Sequence, residues 1–275
     1  MNNKQRRFPR LAALALAGAA AGLAAPAANA LNLYDDFSGS AISPGRWDGR
    51  EGTQWGATLA EARRSIQSGQ LRLEVKGWSD RYTNSGFGRA RNQEIFETSA
   101  NITEIKATVT ARTMAAGACA ANATAGSARA RIIGTFFNIG DVKPGSEYND
   151  VIAAIQMARA SNSTDPAGVM QVIGAVYICT DNECIATSTV GSVSLGTATV
   201  NEATDLHLTW DKANKQFIFQ LNSEAPHNVV YTFAESHVPS YGAKRLEADA
   251  DAPNCTAASR ATTSTVVDFD NVYTN

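Results

Sequence analysis

The chain has 275 residues, 24 Lys+Arg against 26 Asp+Glu, and four cysteines. With no basic excess and no basic patch to match phosphates, a nucleic-acid binder is excluded. The length is ample for one core, and no Pro-rich or Ser/Gly linker divides it.

Residues 1–30 read as a secretory signal peptide. "NNKQRRFPR" is basic, Leu11 to about Pro26 is apolar and Ala-rich, and Ala28-Asn29-Ala30 is a small-x-small cleavage site. Lys4, Arg6, Arg7 and Arg10 leave with this leader and no acid does, so residues 31–275 carry 20 basic against 26 acidic residues, a net charge of −6. No later stretch reaches the roughly 18 apolar residues of a spanning helix, so no membrane span is predicted. The expected product is a single domain, 31–275, in the periplasm or outside the cell after cleavage near Ala30.

Along that domain, strand signals dominate. "LRLEVKG", "EIKATVTART", "ARARIIGTFFNIG", "DVIAAIQMARA", "GVMQVIGAVYIC", "DLHLTW", "QFIFQLN", "NVVYTFA" and "STVVDFDNVYT" are short runs rich in Val, Ile, Thr and Phe. Gly, Asn, Asp and Pro clusters separate them, the mark of an all-β sandwich or barrel. "ATLAEARRSIQ" is the one segment that could pass for a helix, and "LEADADAPNC", with Glu247, Asp249 and Asp251, reads as a solvated acidic loop. "AAGACAANATAGSA" reads as a surface loop. In "DLHLTWDKANKQFIFQLN", Leu206, Leu208 and Trp210 alternate inward, a polar turn follows, and Phe217, Phe219 and Leu221 alternate inward on the return. His207 falls on the opposite face.

An exported chain with four cysteines points to two disulfides. Cys179 and Cys184 flank Thr180-Asp181-Asn182-Glu183, and a turn on the central Asp-Asn would set them facing each other across a hairpin. Cys119 and Cys255 then pair by elimination. There is no Cys-x-x-Cys and no His at zinc-finger spacing, so staples are preferred to a metal site.

Four pieces, "DDFSGSAISPGRW", "IQSGQLRLEV", "LHLTWDKANKQFIFQLN" and "VDFDNVY", occur in an order that resembles the concanavalin A-like lectin/glucanase jelly roll, from about Leu33 to Tyr273. The resemblance implies an all-β, two-sheet antiparallel β-sandwich with few or no helices, termini that meet, and carbohydrate bound on or beside the concave sheet. It also implies a structural Ca²⁺ held by an acid near each terminus, here Asp36 and Asp270; no other cofactor is required.

Catalytic signatures of the family fit poorly. Its laminarinase-like members carry Glu-x-Asp-x-x-Glu, and the nearest match is "NQEIFET", where Glu94 and Glu97 are three apart and face opposite ways on a regular strand. Its alginate-lyase-like members need a His two residues after a Gln, and Ala158 stands there after Gln156. Sugar binding needs no such set, only aromatic platforms and hydrogen-bonding groups. Trp55, Trp78 and Tyr82 lie in polar, Gly-containing segments read as loops; Arg91, Arg131 and Gln156 are candidates for the concave floor, with Arg129 sharing Arg131's face. The sequence therefore points to an exported binder of a polysaccharide or surface glycan. A glycosidase or polysaccharide lyase of the same fold is the alternative, and a structural envelope protein a third.

Overall fold

The computed structural model describes residues 30–54, 58–79, 83–184, 186–239, 241–256 and 260–275. Fifteen strands are present among them and no helix. One sheet contains β13 (His227–Val230), β12 (Gln216–Leu221), β11 (Ala203–Asp211), β6 (Glu104–Ala115), β15 (Thr262–Thr274), β4 (Gln70–Ser79) and β3 (Thr58–Gln67) in that order, and β1 (Asn32–Asp35) also pairs with β15. The other runs β10 (Thr187–Thr199), β9 (Val169–Cys179), β8 (Asp150–Ala160), β7 (Ser127–Asn138), β14 (Lys244–Pro253), β5 (Phe87–Phe96) and β2 (Trp47–Gln54). All pairings are antiparallel, and the termini meet: Asn32 pairs with Thr274 and Asp35 with Val272.

The core follows from period-2 alternation on both inner faces. Leu71, Leu73, Ile105, Val109, Leu206, Phe217, Phe219 and Phe269 on one sheet meet Ile132, Val151, Ile155, Met157 and Leu246 on the other, all at most 3% exposed. The hairpin registers as expected, with Leu206 opposite Leu221, Leu208 opposite Phe219 and Trp210 opposite Phe217. Toward the C-terminal end of β4 the sheets approach closely. A Cβ on Gly77 would lie 3.0 Å from Ala90 Cβ, and the hydroxyls of Thr263 and Thr265 donate across the gap to the Asp251 and Asp249 carbonyls, both at 2.8 Å.

Two segments differ from the sequence expectation. "ATLAEARRSIQ" is strand β3 along 58–67, its amphipathic look arising from an edge position with a wet outer face. "KRLEADADAP" is not a solvated loop but β14, a central strand, with Glu247 and Asp249 fully buried. Its alanines suit a close-packed inner face, and its acids find arginine partners on the other.

Both disulfides form as expected, Cys119–Cys255 with Cα atoms 5.7 Å apart and Cys179–Cys184 at 4.7 Å. The second differs in detail. Cys179 pairs across the ladder with Thr187, and Cys184 sits inside the turn at φ +51°, so the bridge closes a knuckle at the end of β9 rather than spanning two facing strands.

Candidate functional site

The site grows from β14. Leu246, Ala248, Ala250 and Ala252 face the core, so Arg245, Glu247, Asp249 and Asp251 share the outer face of the seven-stranded sheet. Register then sets the neighbours. Asp249 stands between Arg91 of β5 and Arg129 of β7, Glu247 between Gln93 and Arg131, and Asp251 beside Arg89. Gln156 of β8 lies across from Arg131.

Each acid is shared. Arg131 Nε donates to Glu247 at 2.6 Å and its terminal nitrogen to Asp249 at 2.7 Å. Arg129 bonds both Asp249 and Asp251. Arg89 Nε donates to Asp251 at 2.5 Å, Arg91 Nε lies 3.5 Å from Asp249, and Arg245 Nε donates to Glu247 at 2.9 Å. Five guanidinium groups thus surround three carboxylates, and the arginine side chains are only 9–15% exposed.

Burial would raise the carboxyl pKa values, but the surrounding arginines overcome it. Arg131, Arg91 and Arg245 hold Glu247 down at about 2, and Arg129, Arg131, Arg89 and Arg91 hold Asp249 lower still. Arg91 is lowered to about 10 by its own burial, which outweighs the pull of Glu247 and Asp249, while Arg131 and Arg89 lower it further.

Above this floor is a cleft of about 510 Å³, within the range of ligand sites. One wall is the turn holding the Cys179–Cys184 bridge, whose sulfurs pack on Ile133, Ile152 and Ala154. Glu147 N–H donates to Asn182 O at 2.8 Å and ties a second loop to it. Glu147 faces the cleft with its carboxyl raised by burial. Arg50 and Tyr241 form the opposite wall, and Tyr177 and Phe87 add aromatic surface.

Of the residues expected to bind sugar, Arg91, Arg131 and Gln156 come together here. They are not an open basic floor, because β14 inserts acids between the arginine columns. Trp78 is a strand residue of β4 rather than a loop residue. It shares a face with Arg72, Glu74 and Lys76, on the outer side of the other sheet, where Lys76 Nζ lies 5.7 Å from its ring. Trp55 and Tyr82 lie outside the described residues. Arg89, Arg245 and the three acids were missed as site residues. The signal was the repeated Arg-x-Arg of "GRAR" and "ARAR" matched to the Glu-x-Asp-x-Asp of "EADAD".

The nearest match to the family's catalytic acids, already a poor one in sequence, lies elsewhere. Glu94 points between the sheets and pairs with Arg64 at 3.2 Å, and Glu97 is exposed after β5. Of the expected calcium ligands, Asp36 accepts from the Ser38 N–H (3.1 Å) and hydroxyl (2.8 Å), and Asp270 from the Asn271 N–H at 2.8 Å. Asp35 turns inward to Trp47 Nε1 at 2.7 Å. Among the described residues, the one group of three potential ligands is Glu147 with Cys179 and Cys184, whose sulfurs are committed to the disulfide.

No protein-family model matches the chain, and no curated protein does. Among solved structures, the catalytic domain of an endo-1,3-β-glucanase (laminarinase) from Thermotoga petrophila RKU-1 superposes with a TM-score of 0.52 at 13% identity, covering 90% of this chain and 98% of that one. A laminarinase from Flavobacterium sp. UMI-01 is similar at a TM-score of 0.43 and 10% identity, covering 86% and 97%. At these identities the likeness is one of fold, and it agrees with two antiparallel sheets whose terminal strands meet. By fold, the chain is a concanavalin A-like jelly roll.

Proposed function

We propose that the protein binds an acidic polysaccharide or surface glycan in the arginine-lined cleft. The observation that carries this reading is the concentration of Arg50, Arg89, Arg91, Arg129, Arg131 and Arg245 around one cavity of a chain whose domain is acidic overall. Carboxylate or sulfate groups are matched by guanidinium forks. Gln156 supplies amide bonds to hydroxyls, and Tyr177 a ring face. That similar folds include carbohydrate-active proteins is consistent with this choice. Two disulfides suit an oxidising compartment, and the leader would deliver the chain to the periplasm or beyond. No helix among the described residues is long and apolar enough to cross a membrane. Asp36 and Asp270 are the proposed calcium ligands; added Ca²⁺ should then raise the unfolding temperature, and D270N should abolish that rise.

Binding is favoured over cleavage by the state of the β14 acids. A glycosidase needs one protonated carboxyl beside an ionised one, and the arginines keep Glu247 and Asp249 ionised. One observation favours an enzyme, namely Glu147 in the same cleft with a raised pKa. It would act as proton donor in that second reading.

The test is affinity electrophoresis through gels containing alginate, pectate, laminarin or xylan. Retardation is expected in alginate or pectate, weakened by salt, and in neither neutral gel. Arg131→Met should weaken it about 10- to 100-fold, the worth of a lost charge-assisted contact, and Gln156→Ala by about 2- to 10-fold, the worth of a neutral one. Retardation equal in neutral gels, or unmoved by both variants, would overturn the reading. Release of new chain ends, lost in Glu147→Gln, would establish the enzyme instead.

A further inference from the structure

At the end of the sandwich beyond the cleft, β14 begins with a lysine at a core position. Lys244 alternates with Leu246 and Ala248, so its side chain enters between the sheets, and it is 2% exposed. Its ladder partner is Gly134. A Cβ there would come within 2.6 Å of Lys244 Cγ and 3.0 Å of the Phe136 ring, so glycine leaves the room the lysine stem occupies. The ammonium lies 5.0 Å from the Phe136 ring centroid, its one described polar interaction. It has no hydrogen bond and no ion pair among the described residues.

A core position on a strand is normally filled by Leu, Met or Val, and a lysine is almost never buried there unless paired. This one opens into a second cavity, about 640 Å³. Its charged neighbours are accounted for. Asp48 is bonded to Arg50 at 2.6 Å, Glu97 is exposed in the turn after β5, and Arg50 also contacts the Tyr241 hydroxyl. Ser99 donates to the Gly242 carbonyl at 2.8 Å and joins the two loops that form the rim, where Thr98 and Asn101 add hydroxyl and amide groups.

We propose that this end cavity is a second binding site, which takes a carboxylate-bearing ligand with Lys244 as its counter-ion. The ligand supplies the negative charge that the fold withholds, while the hydroxyls and amide of the rim suit a polyhydroxylated body such as a uronate. Burial alone lowers the Lys244 pKa to about 8, so near neutrality the side chain is still chiefly an ammonium. The site rests on its own residues and does not require the arginine cleft to bind anything, although Arg50 and Tyr241 line both.

The experiment is an NMR titration of the full protein, following the Lys244 ammonium signal with D-glucuronate as probe and D-glucose as neutral control. Saturation with glucuronate should raise the Lys244 pKa by about a unit, equivalent to about tenfold tighter binding to the ammonium than to the free amine. Affinity should fall about tenfold in all as pH rises through the free-state and bound-state values, and level off above them, since the glucuronate carboxyl stays ionised throughout. Lys244→Met should remove this binding, and Arg131→Met should leave it intact while weakening polymer retardation, which separates this site from the cleft. An unmoved lysine signal, or an equal response to glucose, would overturn the proposal. So would affinity that rises above pH 8, since that marks imine formation between the free amine and the sugar aldehyde, with loss of water.

Discussion

The two outer faces of the sandwich use the same charged unit and make different things of it. On the eight-stranded sheet, Asp268 of β15 stands between Arg72 of β4 and Arg112 of β6, each donating Nε at 2.6 Å. On the seven-stranded sheet, acids repeat at alternate positions of β14, and Arg89, Arg91, Arg129 and Arg131 each reach two of them. The Arg72 and Arg112 side chains are 24% and 33% exposed, against 9–15% for the cleft arginines. Water and counter-ions therefore screen the first unit, whereas loops wall in the second and lower its effective dielectric. A lone acid between two arginines makes a surface brace. Three acids in register, with five arginines under a wall, make a polarised cavity.

Removing the central acid from each unit should show the difference most strongly. Asp249→Asn leaves four guanidinium groups crowded and buried, and should cost about 3–5 kcal/mol of unfolding free energy. Asp268→Asn leaves two half-wet arginines and should cost about 1–2 kcal/mol. Urea unfolding of both variants measures this, and equal losses would break the comparison. If Asp249→Asn remains folded at working temperature, its more positive cleft should retard more strongly in an alginate or pectate gel.

This contrast was only half legible in the sequence. Alternating runs such as "DLHLTW" and "QFIFQLN" revealed their strands and register, because one face of each is wet and the other dry. The disulfide pairing was legible because a five-residue spacing leaves little choice. β14 was hidden by the same physics in reverse. "EADADA" has weak β-propensity and no large apolar residue, and its outer face is buried by ion pairing rather than by hydrophobicity. Only the Arg-x-Arg strings on two other strands explain how such a segment occupies the middle of a sheet, and register between distant segments cannot be read locally. Lys244 was hidden for a related reason, since its room comes from Gly134, over a hundred positions away.

Acid titration should separate the faces next. The folded pKa of Glu247 is depressed to about 2, and that of Asp249 further. Stabilisation from a depressed carboxyl is fully present above the unfolded value near 4 and lost as pH falls through the folded one. The contribution of these two acids to the unfolding temperature should therefore hold from neutrality to about pH 5 and be lost in a steep drop below about pH 4, with Glu247 alone worth on the order of 3 kcal/mol. Arg131→Met should flatten that drop, and Arg72→Met should flatten it much less.

Asp150 sharpens the comparison within one face, as an acid on the same sheet without an arginine. It is fully buried, accepts from Asn138 Nδ2 at 2.7 Å, and its second oxygen has no hydrogen bond. Burial raises its pKa to about 7, overcoming the Asn138 bond. Here the sign reverses: stability is greatest below the unfolded value near 4 and declines as pH rises through about 7. Asp150→Asn should raise stability by about 1–3 kcal/mol at pH 8, the cost of a buried unsatisfied group, and by less at pH 5. An Asn that destabilises at both pH values would show that the carboxylate has a partner of its own.

Salt makes the finest distinction. At about 1 M ionic strength the Debye length shrinks to roughly 3 Å, which reaches partly exposed ion pairs and spares those sealed from counter-ions. The penalty of Asp268→Asn should then shrink by a few tenths of a kcal/mol, while that of Asp249→Asn stays unchanged. Polymer retardation should weaken over the same salt range, because an arriving polyanion must shed its counter-ions to enter the cleft. If salt erased the Asp249 penalty as well, water and ions would already have access to the ladder, and the cleft would be an open charged surface. If neither penalty moved, the brace on the eight-stranded sheet would be as sealed as the ladder, and burial would not be what separates the two faces.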